Sequence, residues 1–348
     1  MPERTHPAIE QGTTLKELAK HLGLTKGTVS AVLNESPYAK AIPQHTKDRI
    51  SAAARELNYH PNYFARTLRK KRTYTVGVIC AEIGDAYGSV VISGIESALS
   101  ERKYIFVTVV HHHNSQLIKQ YSDILKVRGA EGFITIDTTL AASPLLPTVA
   151  ISGHRAIDGV INMTLDHLKA AQLVMGHLAA LGHREVAVIR GQPLSVDSAA
   201  RWEGIQEAAK ARGIDLPDEL VTQMPGDDPS PQMGYESTKE LLSRKVPFTA
   251  LFAYNDISAV GAIRAIRETG MRVPEDISVV GFDDIREAAF HLPSLTTVRQ
   301  PLHKIGALAA QTLIERIEGN DGLQAEIFVD PELVIRESTG RAPRSSRP

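Results

Sequence analysis

Apolar residues follow two different rhythms along this chain, and the change between them falls near residue 74. In "TTLKELAKHLGLTKGTVSAVLN", which starts at Thr13, Leu15, Leu18, Ala19 and Leu22 recur at three- and four-residue steps and so share one helical face. Gly23 predicts a helix stop, and Thr25 an N-cap for a second helix whose apolar face is Val29, Val32 and Leu33. The connection is short, so the two helices must cross steeply, as in a helix-turn-helix; an ordinary helical hairpin would show the same pattern. "PQHTKDRISAAARELNY" predicts a third helix with Ile50, Ala53, Ala54 and Leu57 as its buried stripe. From Tyr74 the rhythm becomes one of short, mostly β-branched apolar runs: "TVGVICA", "KYIFVTVV", "GFITID", "PTVAIS", "EVAVIRG", "TALFAY" and "ISVVGF". Helical segments such as "GSVVISGIESALSER" and "LKAAQLVMGHLAALG" separate them. Continuous apolar strands between amphipathic helices predict parallel sheets covered on both faces. The elements are too many for one layer, so two lobes are expected, with a break near Asn162 to Asp166.

Charge adds a polarity that the pattern alone does not show. The formal net charge is −1, yet residues 1–73 hold 13 Lys/Arg against 6 Asp/Glu, and the remainder holds 26 against 34. A basic, periodically folded head on an acidic body predicts that one end meets a polyanion. Lys26, Thr28 and Ser30 fall in the first two turns of the second helix, where side chains and the positive helix end reach phosphate oxygens and base edges. "GLTKGT" lacks the spacing of a phosphate-binding loop. Composition, with 43% hydrophobic and 23% charged residues, is that of a globular chain, and no apolar run reaches membrane-span length. The opening "MPERTHPAIEQGTT" has no apolar signal core, and the lone Cys80 suits a reducing compartment, so a cytoplasmic location is expected.

Ligands of parallel α/β lobes sit beyond the carboxyl ends of the strands. That rule selects Asp137 after "GFITI", Asp197 and Arg201 beyond "EVAVIRG", Asn255 and Asp256 after "TALFAY", and Asp283 and Asp284 after "ISVVGF". Arg offers a planar fork of donors and Asp two acceptor oxygens for a small polar molecule. Helix capping is the competing role, above all for Asn255 and Asp284. The run His111 to His113 alternates faces on a strand, so at most two rings could converge; no metal site is expected. Trp202 is expected in the core beside Arg201.

"TLKELAKHLGLTKGTVSAVLN" followed by "TKDRISAAARELNYHPNYFARTLR" resembles the DNA-binding head of the LacI/GalR family of bacterial transcription repressors, and the resemblance extends from about Thr14 to Thr339. "LAALGHREVAVIRG", "RWEGI", "YNDISAVGA", "RVPEDISVVGFDD" and "PSLTTVRQP" resemble that family's effector domain. The resemblance implies an all-α helix-turn-helix head plus an α/β, two-lobed periplasmic-binding-protein-like effector domain with parallel sheets. It implies residues 1–61 as the head, 62–73 as hinge helix and linker, 74–340 as the effector and dimerisation domain, and 341–348 as a disordered tail. Lobe 1 would comprise 74–164 and 294–325, and lobe 2 165–293 and 326–340.

The resemblance also implies roles. Thr14, Thr25, Lys26, Gly27, Thr28, Ser30, Ala31, Asn34 and Tyr59 occupy DNA-contacting positions of the head. Asn62, Ala65, Arg66, Leu68 and Arg69 occupy those of a hinge helix that forms on the operator; Leu68 would wedge between base pairs in the minor groove, its alternative being packing under the strand at Val76. Base reading falls on Lys26, Gly27 and Ala31, and the last two have little with which to read. The loop "ESPYAKAIPQH" is longer than the family's usual connection, so the family's phosphate contacts there, including any at Thr46, do not carry over by position. Arg201 and Asp283 are the leading effector contacts, Asn255 next, with Tyr87, Asp85, Asp197 and Gln300 completing the set; Ser152 stands where the family often has aspartate. The implied partners are pseudopalindromic double-stranded operator DNA, a small-molecule effector, a sugar or related metabolite, and a second copy of the chain, with no cofactor and no membrane. Two other classes, an enzyme and an exported solute-binding protein, fit the sequence less well. An enzyme lacks a nucleophile–base motif here, and an exported solute-binding protein does not account for the basic head.

Overall fold

In the computed structural model, which describes residues 13–34, 36–59, 72–84, 86–153, 155–226 and 230–343, helix α1 (Leu15–Leu22) starts at a capping box. The Glu17 N–H donates to the Thr14 hydroxyl at 3.3 Å, and the Thr14 N–H donates to the Glu17 carboxylate at 2.7 Å. Gly23, at φ 66°, ends α1 in the left-handed region that a side chain would disfavour. Helix α2 (Lys26–Leu33) begins at Thr25, whose hydroxyl accepts the Thr28 N–H at 3.1 Å. Helix α3 (Gln44–Glu56) closes the head over Leu18, Ala19, Val29, Ile50, Ala53 and Ala54, with Leu57 and Tyr59 partly buried against them. The longer loop folds into a short 3-10 turn at Pro37–Ala41, leaving Tyr38 83% exposed. The chain divides into two units between Thr73 and Tyr74. The expected hinge residues Asn62, Ala65, Arg66, Leu68 and Arg69 lie outside the described residues.

In the second unit the strands are β1 (Thr75–Cys80), β2 (Ile105–Val110), β3 (Gly132–Ile136), β4 (Thr148–Ile151), β5 (Val160–Leu165), β6 (Val186–Arg190), β7 (Val221–Gln223), β8 (Ala250–Phe252), β9 (Ser278–Asp283), β10 (Thr296–Arg299), β11 (Glu326–Val329) and β12 (Glu332–Val334). They form two sheets, ordered β2-β1-β3-β4-β5-β11 and β7-β6-β8-β9-β10-β12. The pairing is parallel except between β10 and β12. Each strand's alternate residues enter different cores. Val76, Val78 and Cys80 join one cluster with Ile95, Leu99 and Leu313, while Ile79 joins Leu125 and Phe133 on the opposite face.

The helices that cover the sheets are α4 (Ala86–Glu101), α5 (Ser115–Val127), α6 (His167–Ala180), α7 (Val196–Ala211), α8 (Pro231–Ser243), α9 (Asp256–Glu268) and α10 (Leu302–Ile317). Two of their pairings are backbone-close. A Cβ on Gly94 would lie 2.0 Å from the His303 carbonyl oxygen, and one on Gly306 2.0 Å from that of Val91, so α4 and α10 meet through two bare glycines. In the other lobe α8 and α9 meet the same way through Gly234 and Gly261.

Three features correct the sequence expectation. Strand β10, expected in lobe 1, pairs with β9 in the second sheet, Thr296 beside Val280. Strand β11, expected in lobe 2, pairs with β5 in the first, Glu326 beside Asn162. The chain therefore changes lobe after Leu165, after Arg299 and after Val329; Pro301 and Pro331 follow the last two strands and cannot extend a ladder. The expected disorder from residue 341 also begins too early, because the Ala342 N–H bonds the Leu181 carbonyl at 2.9 Å.

Candidate functional site

In the head, Thr25, Lys26 and Gly27 are exposed at the start of α2, with Thr28, Ser30 and Ala31 half-buried behind them. Four of the expected DNA residues have local work. Thr14 and Thr25 cap their helices. Asn34 ends α2, its amide donating to the Ser30 carbonyl at 2.8 Å. The Tyr59 ring packs on the head core, and burial pushes its hydroxyl pKa up.

In the second unit, strand ends of both lobes face one cavity of about 920 Å³, counting the space open to solvent. Tyr87, Asp197, Arg201, Asn255, Asp283 and Gln300 all line it. Asp85 lies outside the described residues. The backbone that aims these groups is strained in a consistent place. Asp137 (φ 45°), Ser152 (φ 60°), Asp283 (φ 110°) and Asp284 (φ 54°) stand at or just beyond the carboxyl ends of β3, β4 and β9, in the region usually left to glycine. Each such residue costs about 1–3 kcal/mol and persists only when neighbours hold it. For the Asp283–Asp284 turn those neighbours are plain: Gln300 donates to Asp283 at 2.6 Å, while Arg299 and Arg336 donate to Asp284 at 2.7 and 2.6 Å. Asp256 supports the same turn from below, accepting from the Ile285 N–H at 2.8 Å and the Thr297 hydroxyl at 2.5 Å. Burial, reinforced by the charge of Asp283, holds the Asp256 carboxyl well above the usual carboxylate range. Asp256 is thus a support of the site and does not face its cavity, and Asn255 caps α9 from the cavity wall.

Two hydrogen-bonded relays cross between the lobes. Ser152 donates to Asp197 at 3.0 Å; because a serine has one hydroxyl proton, the Tyr87 hydroxyl 3.2 Å away must donate to Ser152. Burial, and then the charge of Asp197, push the Tyr87 pKa well up, which keeps that proton in place. In mirror fashion Ser195 donates to Asp137 at 3.4 Å and Tyr254 donates to Ser195 at 2.9 Å, the Tyr254 pKa again raised by burial. The first relay runs from lobe 1 to lobe 2 and the second from lobe 2 to lobe 1. Asp197 also meets His167 at 3.3 Å and Arg201 at 3.9 Å. Arg201, only 4% exposed, donates to the Tyr254 carbonyl at 2.5 Å and lies between the Tyr254 and Phe282 rings, 4.4 and 3.6 Å from their centroids.

Sequence reasoning missed Tyr254, Ser195 and Gln192 as cavity residues, and did not place Ser152 on Asp197. Tyr254 was within reach, since it follows β8 directly and precedes Asn255; nothing in the sequence marks Ser195. Ser152→Gly tests the first relay cleanly, because glycine relaxes φ 60° as it deletes the hydroxyl. We expect a net stability change under about 1 kcal/mol, together with faster amide hydrogen exchange in the first turn of α7. Exchange there at the unmodified rate would dismiss the relay as a tie between lobes.

The comparisons with known proteins agree with this division. Residues 14–62 match the family described as bacterial regulatory proteins, lacI family, and residues 175–339 match the periplasmic binding protein-like domain. The HTH-type transcriptional repressor PurR of Serratia proteamaculans (strain 568) is 30% identical over 339 residues, covering 95% of this chain and 98% of PurR. Among solved structures, the lac repressor dimer bound to operator and the anti-inducer ONPF matches with a TM-score of 0.86 at 26% identity, over 95% of this chain and 100% of that one. The transcriptional regulator CelR in complex with cellobiose matches with a TM-score of 0.68 at 28% identity, over 94% and 99%. A helix-turn-helix head, a two-lobed body with a polar cleft, and similarity to repressors over nearly the whole length lead to one conclusion: this chain belongs to the LacI family of bacterial regulatory proteins and is a DNA-binding transcription regulator under small-molecule control.

Proposed function

We propose that the chain acts as a homodimeric repressor whose two heads grip a pseudopalindromic operator and whose cleft admits a small polyhydroxylated effector, a sugar or related metabolite. The observation that carries this reading is the convergence of Tyr87, Asp197, Arg201, Asn255, Asp283 and Gln300 on one cavity between lobes. Carboxylates, amides and a guanidinium fork offer paired donors and acceptors suited to ring hydroxyls. The operator-bound lac repressor and the cellobiose-bound CelR support the two halves of the reading. The reading is of a regulator and not a catalyst, working in the cytoplasm; among the described residues no helix is long and apolar enough to cross a membrane.

On DNA, Lys26 reads base edges in the major groove, while Thr14, Thr25, Thr28, Ser30, Asn34 and Tyr59 hold phosphates. Gly27 and Ala31 let α2 approach closely. Asn62, Ala65, Arg66, Leu68 and Arg69 serve the minor groove, where kinking at Leu68 adds shape-based discrimination. The effector shifts the relation of the lobes and thereby of the two hinges, by no more than its differential affinity for the two states.

Operator selection on the purified chain, followed by a metabolite panel scored for altered DNA release, tests the whole reading. We expect binding that weakens steeply with salt, and a Lys26→Ala variant that loses preference at its base positions, with discrimination down about 10-fold or more. An unchanged site preference in Lys26→Ala would remove Lys26 as the reader, and salt-independent binding would remove the DNA reading altogether.

A further inference from the structure

In the head, the long connection between α2 and α3 starts from the side of α2 that faces away from the core. Val29 is buried there and Val32 and Leu33 pack beside it, so Gly27, Ser30, Ala31 and Asn34 form the opposite stripe, the one a recognition helix turns to DNA. The Ser36 N–H donates to the Ala31 carbonyl at 3.0 Å, which ties the start of the connection to that stripe. Ser36 then opens the 3-10 turn Pro37–Ala41, the Ala39 N–H donating to the Ser36 carbonyl at 2.8 Å and the Ile42 N–H to the Ala39 carbonyl at 3.1 Å. Such a turn repeats every three residues, so Ala39 and Ile42 share one half-buried inner column. Pro37, Tyr38, Lys40 and Ala41 make up the outer columns, and all four are exposed. Among the described residues of the head, Tyr38 is the one large hydrophobic side chain that stands so far into solvent. The first turn of α3, which follows, carries no acidic residue, and Asp48 beyond it is engaged by the Gln44 amide at 2.9 Å.

We propose that this turn is a second grip on DNA, in which the Tyr38 hydroxyl and the Lys40 ammonium hold phosphate oxygens of the duplex beside the bases that α2 faces. The grip presupposes the DNA binding assigned above and adds two residues to it. The turn continues the surface of α2, and its outer columns carry a phenol and an ammonium, both donors of the kind that phosphates accept, and no carboxylate. A protein partner would call for an apolar patch, and Tyr38 has no exposed large apolar neighbour among the described residues of the head. Gly27 and Ala31 give α2 little hold of its own on the bases, so contacts on the adjoining backbone have the larger share of affinity to supply.

Phosphate contacts are blind to sequence, so the full chain is titrated against two probes, the operator recovered by selection and a random-sequence duplex. Lys40→Gln should reduce the slope of log affinity against log salt by about 0.9 for each head bound, on both duplexes alike. Tyr38→Ala should weaken binding to both by about 10-fold or more, and Tyr38→Phe should reproduce most of that loss, since the hydroxyl makes the contact. Both side chains are exposed, so the denaturation midpoint of each variant should stay where it is. If the variants at either position bind both duplexes as the unmodified chain does, the grip is overturned. A loss confined to the selected operator overturns it too, because it would mark a base contact. Should Lys26→Ala lose its site preference while the Tyr38 and Lys40 variants bind normally, the DNA reading stands and this grip alone falls. Should the unmodified chain bind neither duplex at low salt, both fall together.

Discussion

Arg201→Ala is expected to raise the effector concentration needed for altered DNA release by about 100-fold or more, while affinity for bare operator stays within about threefold. The asymmetry follows from where the side chain sits. Within the cleft unit Arg201 holds the Tyr254 carbonyl at 2.5 Å, stands 3.9 Å from Asp197 and fills the space between the Tyr254 and Phe282 rings. Its loss takes a fork of donors from the ligand, strips the buried Asp197 of its nearest guanidinium, and frees the Tyr254 carbonyl. The head has its own core and does not share these contacts. Arg201→Lys should recover little, since an ammonium cannot span two acceptors in one plane. A metabolite titration of DNA release that gives the same midpoint for Arg201→Ala would remove this residue from the site.

Gly306→Ala is expected to cost about 3 kcal/mol, near the top of the range for overpacking. The added methyl would stand 2.0 Å from the Val91 carbonyl oxygen, a backbone atom of α4 that cannot step aside as a side chain could. Helices α4 and α10 would have to separate, opening the cluster that holds Ile95, Leu99, Ala309 and Leu313. Gly27→Ala is the matched control: its Cβ meets only the Thr25 hydroxyl oxygen, at 3.7 Å, and alanine favours the helix by about 1 kcal/mol. Denaturant midpoints for the two variants should move in opposite directions. A midpoint for Gly306→Ala equal to that of the unmodified chain would mean the close approach of α4 and α10 is not needed.

The head was legible because its contacts are local. Thr14, Gly23 and Thr25 act within a few residues of themselves, and Leu18, Val29 and Ile50 each mark the apolar stripe of their own helix, so periodicity and capping predict the structure found. Strand ends in the body were legible for a related reason: a short apolar run followed by Asp or Asn marks a carboxyl end whichever sheet it joins. Thus Asp283 and Asn255 could be named, and they line the cavity. Sheet membership was not legible. "TTVR" and "EIFV" are equally plausible on either lobe, and only pairing with β9 and β5 decides between them. The relays were illegible too, since Ser152 and Asp197 lie 45 residues apart and neither carries a local signal of the other.

By itself, then, the sequence determined a basic helical head, a parallel α/β body, and the polar groups available at the strand ends. Tertiary structure decided which of those groups touch: Ser152 with Asp197, Ser195 with Asp137, and Gln300 with Asp283. It also decided that Asp256 would serve as a buried support, accepting from the Ile285 N–H and the Thr297 hydroxyl. The reason is one of range. Secondary structure follows from steric and hydrogen-bonding preferences over a turn or a strand pair, whereas a site depends on three separate lobe crossings that bring distant strand ends within hydrogen-bonding distance.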